Sequence, residues 1–228
     1  GGLVRGVSCA ERDIPLVHIS AIGADPDGEA DYARTKGRAE EAVLKATGNS
    51  AIIIRPSIIF GPEDKFFNQF AAMARYSPAL PLIGGGETKF QPVYVGDVAE
   101  AIAKAVDGDL EGGKAYELGG PEVLSFKQCL EEMLKIVQRK RILATIPWGI
   151  ARLQGTVLGM LPKPIITSDQ VKMLESDNVV SEEAQKDGRT LEGMGISGAT
   201  VEAILPTYLW RFRETGQFRN PNAGSTAS

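Results

Sequence analysis

The chain has 228 residues, 43% hydrophobic and 24% charged, with a mean hydropathy of -0.08. These proportions exclude a disordered, collagenous or coiled-coil protein and suffice for a core without metal or disulfide support. Cys9 and Cys129 stand far apart with no CxxC spacing and His18 is the only histidine, while 25 basic residues against 29 acidic give a net charge of -4; this argues for a reducing compartment and against zinc, iron–sulfur, Ser-His-Asp and nucleic-acid chemistry.

The chain begins Gly1-Gly2-Leu3 rather than with Met and shows no signal-peptide apolar region, so the expectation is a protein that has lost an N-terminal part. Residues 14–20, Ile-Pro-Leu-Val-His-Ile-Ser, read as a short apolar strand of the kind buried in a parallel sheet. Turn formers follow from Gly23 to Gly28. Asp31 to Lys45 is then rich in Ala, Glu, Arg and Lys, with Ala39, Ala42, Val43 and Ala46 at helical spacing, and Gly48-Asn49 supplies a stop. Ala51 to Arg55 is a second buried strand, closed by Pro56. Strand, helix, strand in this order predicts a right-handed parallel crossover and an α/β class.

Further along, Phe66 to Arg75 is predicted helical, with Pro78 and Pro81 as breakers and Gly84-Gly85-Gly86 as a tight turn. That glycine run lacks the G-x-G-x-x-G spacing and does not join a strand to its helix, so it is not a phosphate loop. Lys89 to Val95 reads as one short strand, Asp97 to Val106 as a helix, and Ala115 to Leu118 as another strand. Ser125 starts an amphipathic helix running to about Arg139. Pro147 to Leu161 is apolar but interrupted by Arg152 and glycines, short of the ~20 clean residues of a bilayer span. The segment Pro147 to Pro164 reads either as a docking or membrane-interface surface or as a helix packed on the protein's own substrate domain. Gln217 to Ser228 is a polar tail.

Three places carry candidate chemistry. Tyr32 and Lys36 lie four apart on one helical face, directly after a strand ending in Ser20. A phenol has a reference pKa of ~10, and a nearby ammonium lowers it by stabilising the phenolate, while a serine at a strand's carboxyl end lies where open α/β sheets place ligands. A solvated helix also yields Tyr-x-x-x-Lys by chance; the preceding strand and serine distinguish this instance. Arg55 to Pro62, Arg-Pro-Ser-Ile-Ile-Phe-Gly-Pro, is a strand end entering a rigid turn, fit either to floor a planar ring or simply to leave the sheet. In Gln91 to Ala99, Asp97 reads most simply as a helix N-cap.

With these residues the chain resembles the extended, atypical branch of the short-chain dehydrogenase/reductases. More closely, Val17 to Ser20, Tyr32 to Lys36, Phe60 to Asn68, Gln91 to Val95 and Ile166 to Val171 are similar to the NAD(P)H-binding accessory subunits of respiratory complex I and their bacterial relatives, the likeness running from about Leu16 to Phe218. The resemblance implies a Rossmann-like doubly wound parallel sheet, truncated at its N-terminus, with a smaller C-terminal α/β domain. It divides the chain into 1–83, the end of a nucleotide-binding domain completed by a helix and strand near 97–118, and 84–228, mainly a substrate or partner domain and tail. It implies that Ser20, Tyr32 and Lys36 contact the nicotinamide ribose, with Pro56 and Ser57 near the ring. In a working reductase or epimerase Tyr32 would be the acid/base, Lys36 its partner and Ser20 the substrate orienter; in the complex I relatives the nucleotide is structural.

The implied cofactor is NAD(P)H, NADPH slightly favoured. The implied partners are other complex I subunits at the membrane. The implied place is cytoplasmic or peripheral on the inner membrane, on the matrix side in a eukaryote. The glycine-rich first turn of the family is not among these residues, so the expected affinity of this chain alone is weak or nil. A short gap from Ser20 to Tyr32 disfavours a nucleotide-sugar substrate.

Overall fold

In the computed structural model, residues 16–158 and 168–214 are described. β1 (Val17–Ile19), α1 (Asp31–Ala46) and β2 (Ile52–Pro56) form the expected parallel crossover, with His18 opposite Ile53. β2 also pairs in parallel with β7 (Ala115–Leu118), giving a three-stranded sheet of order β1-β2-β7. The consecutive isoleucines of β2 are buried because both faces are covered. Ile53 packs with Val43 of α1, whereas Ile52 and Ile54 meet Val98, Ala101 and Ala105 of α3 (Val95–Asp107) on the other face. Gly37 lets α1 lie directly on the loop before it, since a Cβ there would overlap the backbone of Asp25 and Pro26. At the far end Gly48 and Asn49 both take positive φ, and the Asn49 amide donates to the Leu44 carbonyl, closing the helix where expected.

β3 (Ile59–Phe60) pairs in parallel with β6 (Val93–Tyr94). β5 (Lys89–Phe90) pairs antiparallel with β8 (Leu124–Ser125). The single strand expected over Lys89 to Val95 is thus two, split where Gln91 turns its backbone toward Asn178 and Pro92 lacks an amide hydrogen. α2 (Phe67–Tyr76) leads into β4 (Ala79–Ile83), which pairs with β9 (Ile142–Ile146). Neither strand was expected from the sequence: Pro81 serves inside β4 rather than breaking the chain, within a two-stranded ladder that has room for a missing donor.

α4 (Phe126–Ile136) starts as expected at Ser125, whose hydroxyl accepts from the Gln128 amide while the Gln128 side chain accepts from the Ser125 amide. A second core joins Phe60, Phe67, Leu80, Leu130, Met133, Leu205 and Leu209, drawing on α2, β4, α4 and α8 (Val201–Leu209). Gly84-Gly85-Gly86 is a short 3-10 turn packed under Trp148, with no room for a Cβ at Gly84. α5 (Trp148–Leu158) buries Ala151 against Ile83 and Val171 and leaves Ile150 and Leu153 exposed. α6 (Ser168–Met173) and α7 (Glu182–Lys186) complete the described helices. Cys9, Gly159 to Pro164, Ile166, Thr167 and the tail from Gln217 lie outside the described residues.

Candidate nucleotide-side site

The carboxyl end of β1 gathers the residues the sequence singles out. Ser20 follows the strand directly, its amide donating to the Ile54 carbonyl at 2.7 Å, and its side chain is buried at 3% exposure. Its Oγ has no hydrogen-bond partner among the described residues. From α1, Lys36 reaches back to this strand end and donates from Nζ to the Ile19 carbonyl at 3.1 Å. The same ammonium lies 5.8 Å from the centre of the Tyr32 ring, which stays 43% exposed. Ser20, Tyr32 and Lys36 therefore meet around one strand end.

The electrostatic part of the expectation needs correction. The Tyr32 phenol sits above its ordinary value, because partial burial disfavours the phenolate and no offsetting stabilisation by Lys36 is resolved. His18, two residues before Ser20 and so on the same face of the strand, has a buried Nε2 that is likewise unpartnered. Burial first, and the Lys36 ammonium second, hold its imidazole below the ordinary value, with Glu40 pulling the other way.

The head of α1 is capped from far away. Ala30 at the N-cap position offers no side-chain acceptor, and Asp169 of α6 supplies both oxygens, accepting from the Asp31 amide at 2.6 Å and the Tyr32 amide at 3.1 Å. A carboxylate there also meets the positive end of the helix dipole. Nearer the middle of α1, buried Glu40 takes a two-pronged contact from Arg55 of β2, Nε to Oε1 at 3.0 Å and Nη2 to Oε2 at 2.5 Å. Arg55 also lies 3.7 Å from Glu117 of β7, whose other oxygen accepts from the Ser181 amide. The helix bearing Tyr32 and Lys36 is thus tied to the sheet by charge.

Pro56 is buried beside Leu118 of β7. The Ser57 hydroxyl is spent internally: it lies 2.7 Å from Asn178 Oδ1 and 2.9 Å from the Asn178 carbonyl, and accepts from the Gln91 amide. Asn178 Nδ2 donates in turn to the Ile22 carbonyl just beyond Ser20. Gln91 extends this lattice, donating to the Gly120 carbonyl and accepting from the Val180 amide. Asn178, Asp169 and Glu40 escaped the sequence reading. Asp97 is a correction: α3 starts two residues before it, and its carboxylate accepts from the Ala199 amide at 2.8 Å instead of capping its own helix.

Among the described residues no cluster of His, Cys, Asp and Glu could hold a metal ion, and no helix is long and apolar enough to cross a membrane. Cys129 is a free, fully buried thiol pushed up to about 12 by burial.

Residues 24–120 match the model of the 3-beta hydroxysteroid dehydrogenase/isomerase family. Over 92% of this chain the backbone follows a dTDP-glucose 4,6-dehydratase from Bacillus anthracis, solved in complex with NAD, with a TM-score of 0.63 at 15% identity and covering 65% of that chain. The fold is accordingly the Rossmann-type α/β fold of the short-chain dehydrogenase/reductase and epimerase proteins. In sequence the chain is 37% identical over 222 residues to the mitochondrial NADH dehydrogenase [ubiquinone] 1 alpha subcomplex subunit 9 of Arabidopsis thaliana, covering 93% of this chain and 53% of that protein. It is 26% identical over 209 residues to the mitochondrial 40 kDa subunit of NADH-ubiquinone oxidoreductase of Neurospora crassa, covering 91% of this chain and 53% of that one. The chain is thus similar to these complex I subunits along nearly all of its own length, and it spans about half the length of the curated relatives it matches.

Proposed function

We propose that this chain is the nicotinamide-side part of an NAD(P)H-binding accessory or assembly subunit of respiratory NADH:quinone oxidoreductase, in which the dinucleotide is a structural element. The observation that carries the reading is the similarity to the plant subunit along nearly the whole chain. The site's chemistry supports it. An unpartnered, buried Ser20 hydroxyl and a Lys36 ammonium with donors to spare fit the hydroxyl-rich ribose and the amide of a nicotinamide nucleoside.

A bound nicotinamide dinucleotide would supply a hydride-carrying ring. The residues of this chain would hold it: Lys36 donates to the ribose while anchored on the Ile19 carbonyl, Tyr32 presents its phenol to the same sugar, and Ser20 satisfies its orphaned hydroxyl. Pro56 and the Ser57–Asn178 link make a fixed floor, with Ser57 contributing shape and backbone rather than a free hydroxyl. Burial holds the Tyr32 phenol above its ordinary value and so in its hydrogen-bond-donating form, suited to the oxygens of the sugar. NADPH is favoured slightly over NADH, and the protein sits peripherally at the membrane, on the matrix side in a eukaryote.

A free-standing reductase or epimerase working through Ser20, Tyr32 and Lys36 is the competing reading, favoured by the family-model match. The test is to tag the protein at its native locus, isolate it from respiratory membranes, and assay bound nucleotide and turnover. NAD(P)H released on denaturation, with no oxidation of the bound nucleotide on adding carbonyl substrates, is expected. Turnover that Tyr32→Phe abolishes without unfolding would establish the reductase instead.

A further inference from the structure

Apart from the β1 end, a pocket of about 270 Å³ opens between α2, β4, β5, α4 and the C-terminal end of α6. Its walls are Phe66, Phe70, Phe90 and Phe126, with Pro81 and Leu174 among its other apolar lining residues. The rings hold one another: Phe70 and Phe126 meet at their edges with centres 5.5 Å apart, and Phe66 lies tilted against Phe90 and Phe126, both at 5.9 Å. Phe90 and Phe126 are buried in the second core, so this wall is fixed before any ligand arrives. A preformed apolar wall spares a ligand the ordering cost that mobile side chains impose.

Among the described residues that line the pocket, Lys65 alone carries a charge, and it is exposed. It has no ion-pair partner among the described residues. Its acidic neighbour Asp64 is engaged elsewhere, accepting from the Asn68 amide at 3.1 Å and from the Tyr208 hydroxyl at 2.5 Å. An apolar, ring-walled cleft with a single unneutralised cation on its lining is complementary to an amphipath with one negative head and a short apolar body. The volume sits just below the range of about 300–1,000 Å³ typical of drug-sized ligands, so the pocket suits a small ligand and is too small to enclose a dinucleotide or a two-chain lipid.

We propose that this pocket binds a short amphipathic carboxylate, its apolar body against Phe66, Phe70, Phe90 and Phe126 and its carboxylate on Lys65. The pocket adjoins the floor of the nucleotide-side site, since Asn178, which holds Ser57, is also in its lining, but the proposal needs neither bound nucleotide nor membership of a larger complex. α6 and the residue after it join the two places, since Met173 and Leu174 line the pocket while Asp169 caps the helix that bears Tyr32.

The test is calorimetric titration of the intact chain with octanoate and, as the neutral match, octanol. Saturable one-to-one binding of octanoate, tighter than octanol, is expected. Lys65→Gln, an exposed change, should weaken octanoate about two- to five-fold, the contribution of an exposed ion pair, and leave octanol unchanged. Met173→Trp should fill the mouth and weaken both; if it fails to fold, Lys65→Gln still decides. No saturable binding, equal affinity for octanoate and octanol, or indifference of octanoate to Lys65→Gln would overturn the proposal.

Discussion

Arg55→Met probes the clamp that sets the candidate site. The guanidinium makes two parallel contacts, at 3.0 and 2.5 Å, to a Glu40 whose side chain is 7% exposed, and approaches Glu117, 11% exposed, at 3.7 Å. Removing it leaves Glu40 buried without its counter-charge; Glu117 keeps the Ser181 amide. Breaking such a buried pair from one side costs about 3–5 kcal/mol, a large share of the ~5–15 kcal/mol that holds a typical domain together. Urea unfolding reads the loss directly as a lower midpoint with an unchanged slope. The double variant Arg55→Met with Glu40→Met removes both charges, so it should be more stable than Arg55→Met alone, a coupling no surface contact would give. A loss below about 1 kcal/mol for Arg55→Met would show that the pair behaves as an exposed bridge and would refute the clamp.

Three further outcomes follow from the same geometry. Because burial and Lys36 depress the His18 pKa in the folded state, the unfolded chain takes up this proton first. Stability should therefore be complete above the unfolded value of ~6.5 and fall as pH drops through it, and His18→Leu should flatten that slope in urea titrations. Asp169→Ala strips both amides at the head of α1 of their acceptor and should cost about 1 kcal/mol by thermal unfolding, partly recovered in Asp169→Asn; no change would mean the cap is idle. Cys129, fully buried and raised to about 12, should resist thiol reagents at neutral pH in a Cys9→Ser background until denaturant is added, and rapid labelling of native protein would contradict its place in the core.

What could be read from the chain was local. Three adjacent isoleucines before Arg-Pro, a helix stopped by Gly48-Asn49, and a serine closing the first strand determine the β1-α1-β2 unit and bring Ser20, Tyr32 and Lys36 together. What escaped depends on distant segments returning. β4 and β9 pair across a long interval, and β9 is half exposed, so neither apolar alternation nor a turn announces them. Asp169 finds the head of α1 from 138 residues away and Asn178 finds Ser57 from 121, and a single Asp in a short helix or Asn in a loop looks like any other until that contact forms. The one available signal for Asp169 was its place in the segment Ile166 to Val171 that carried the family resemblance. Asp97 shows the converse error: its acceptor oxygen was assigned to the nearest helix start, while the structure uses it on the backbone of Ala199. The lowered phenol pKa failed because spacing on a helix places Lys36 near the Tyr32 ring but does not weigh that charge against burial.

The most direct measurement separates respiratory membranes of the source organism by native electrophoresis and follows this chain by mass spectrometry across the gel. Comigration with the NADH:quinone oxidoreductase, with NAD(P)H recovered from that band, is the predicted result. A protein found wholly outside that band and turning over NAD(P)H by itself would contradict the account.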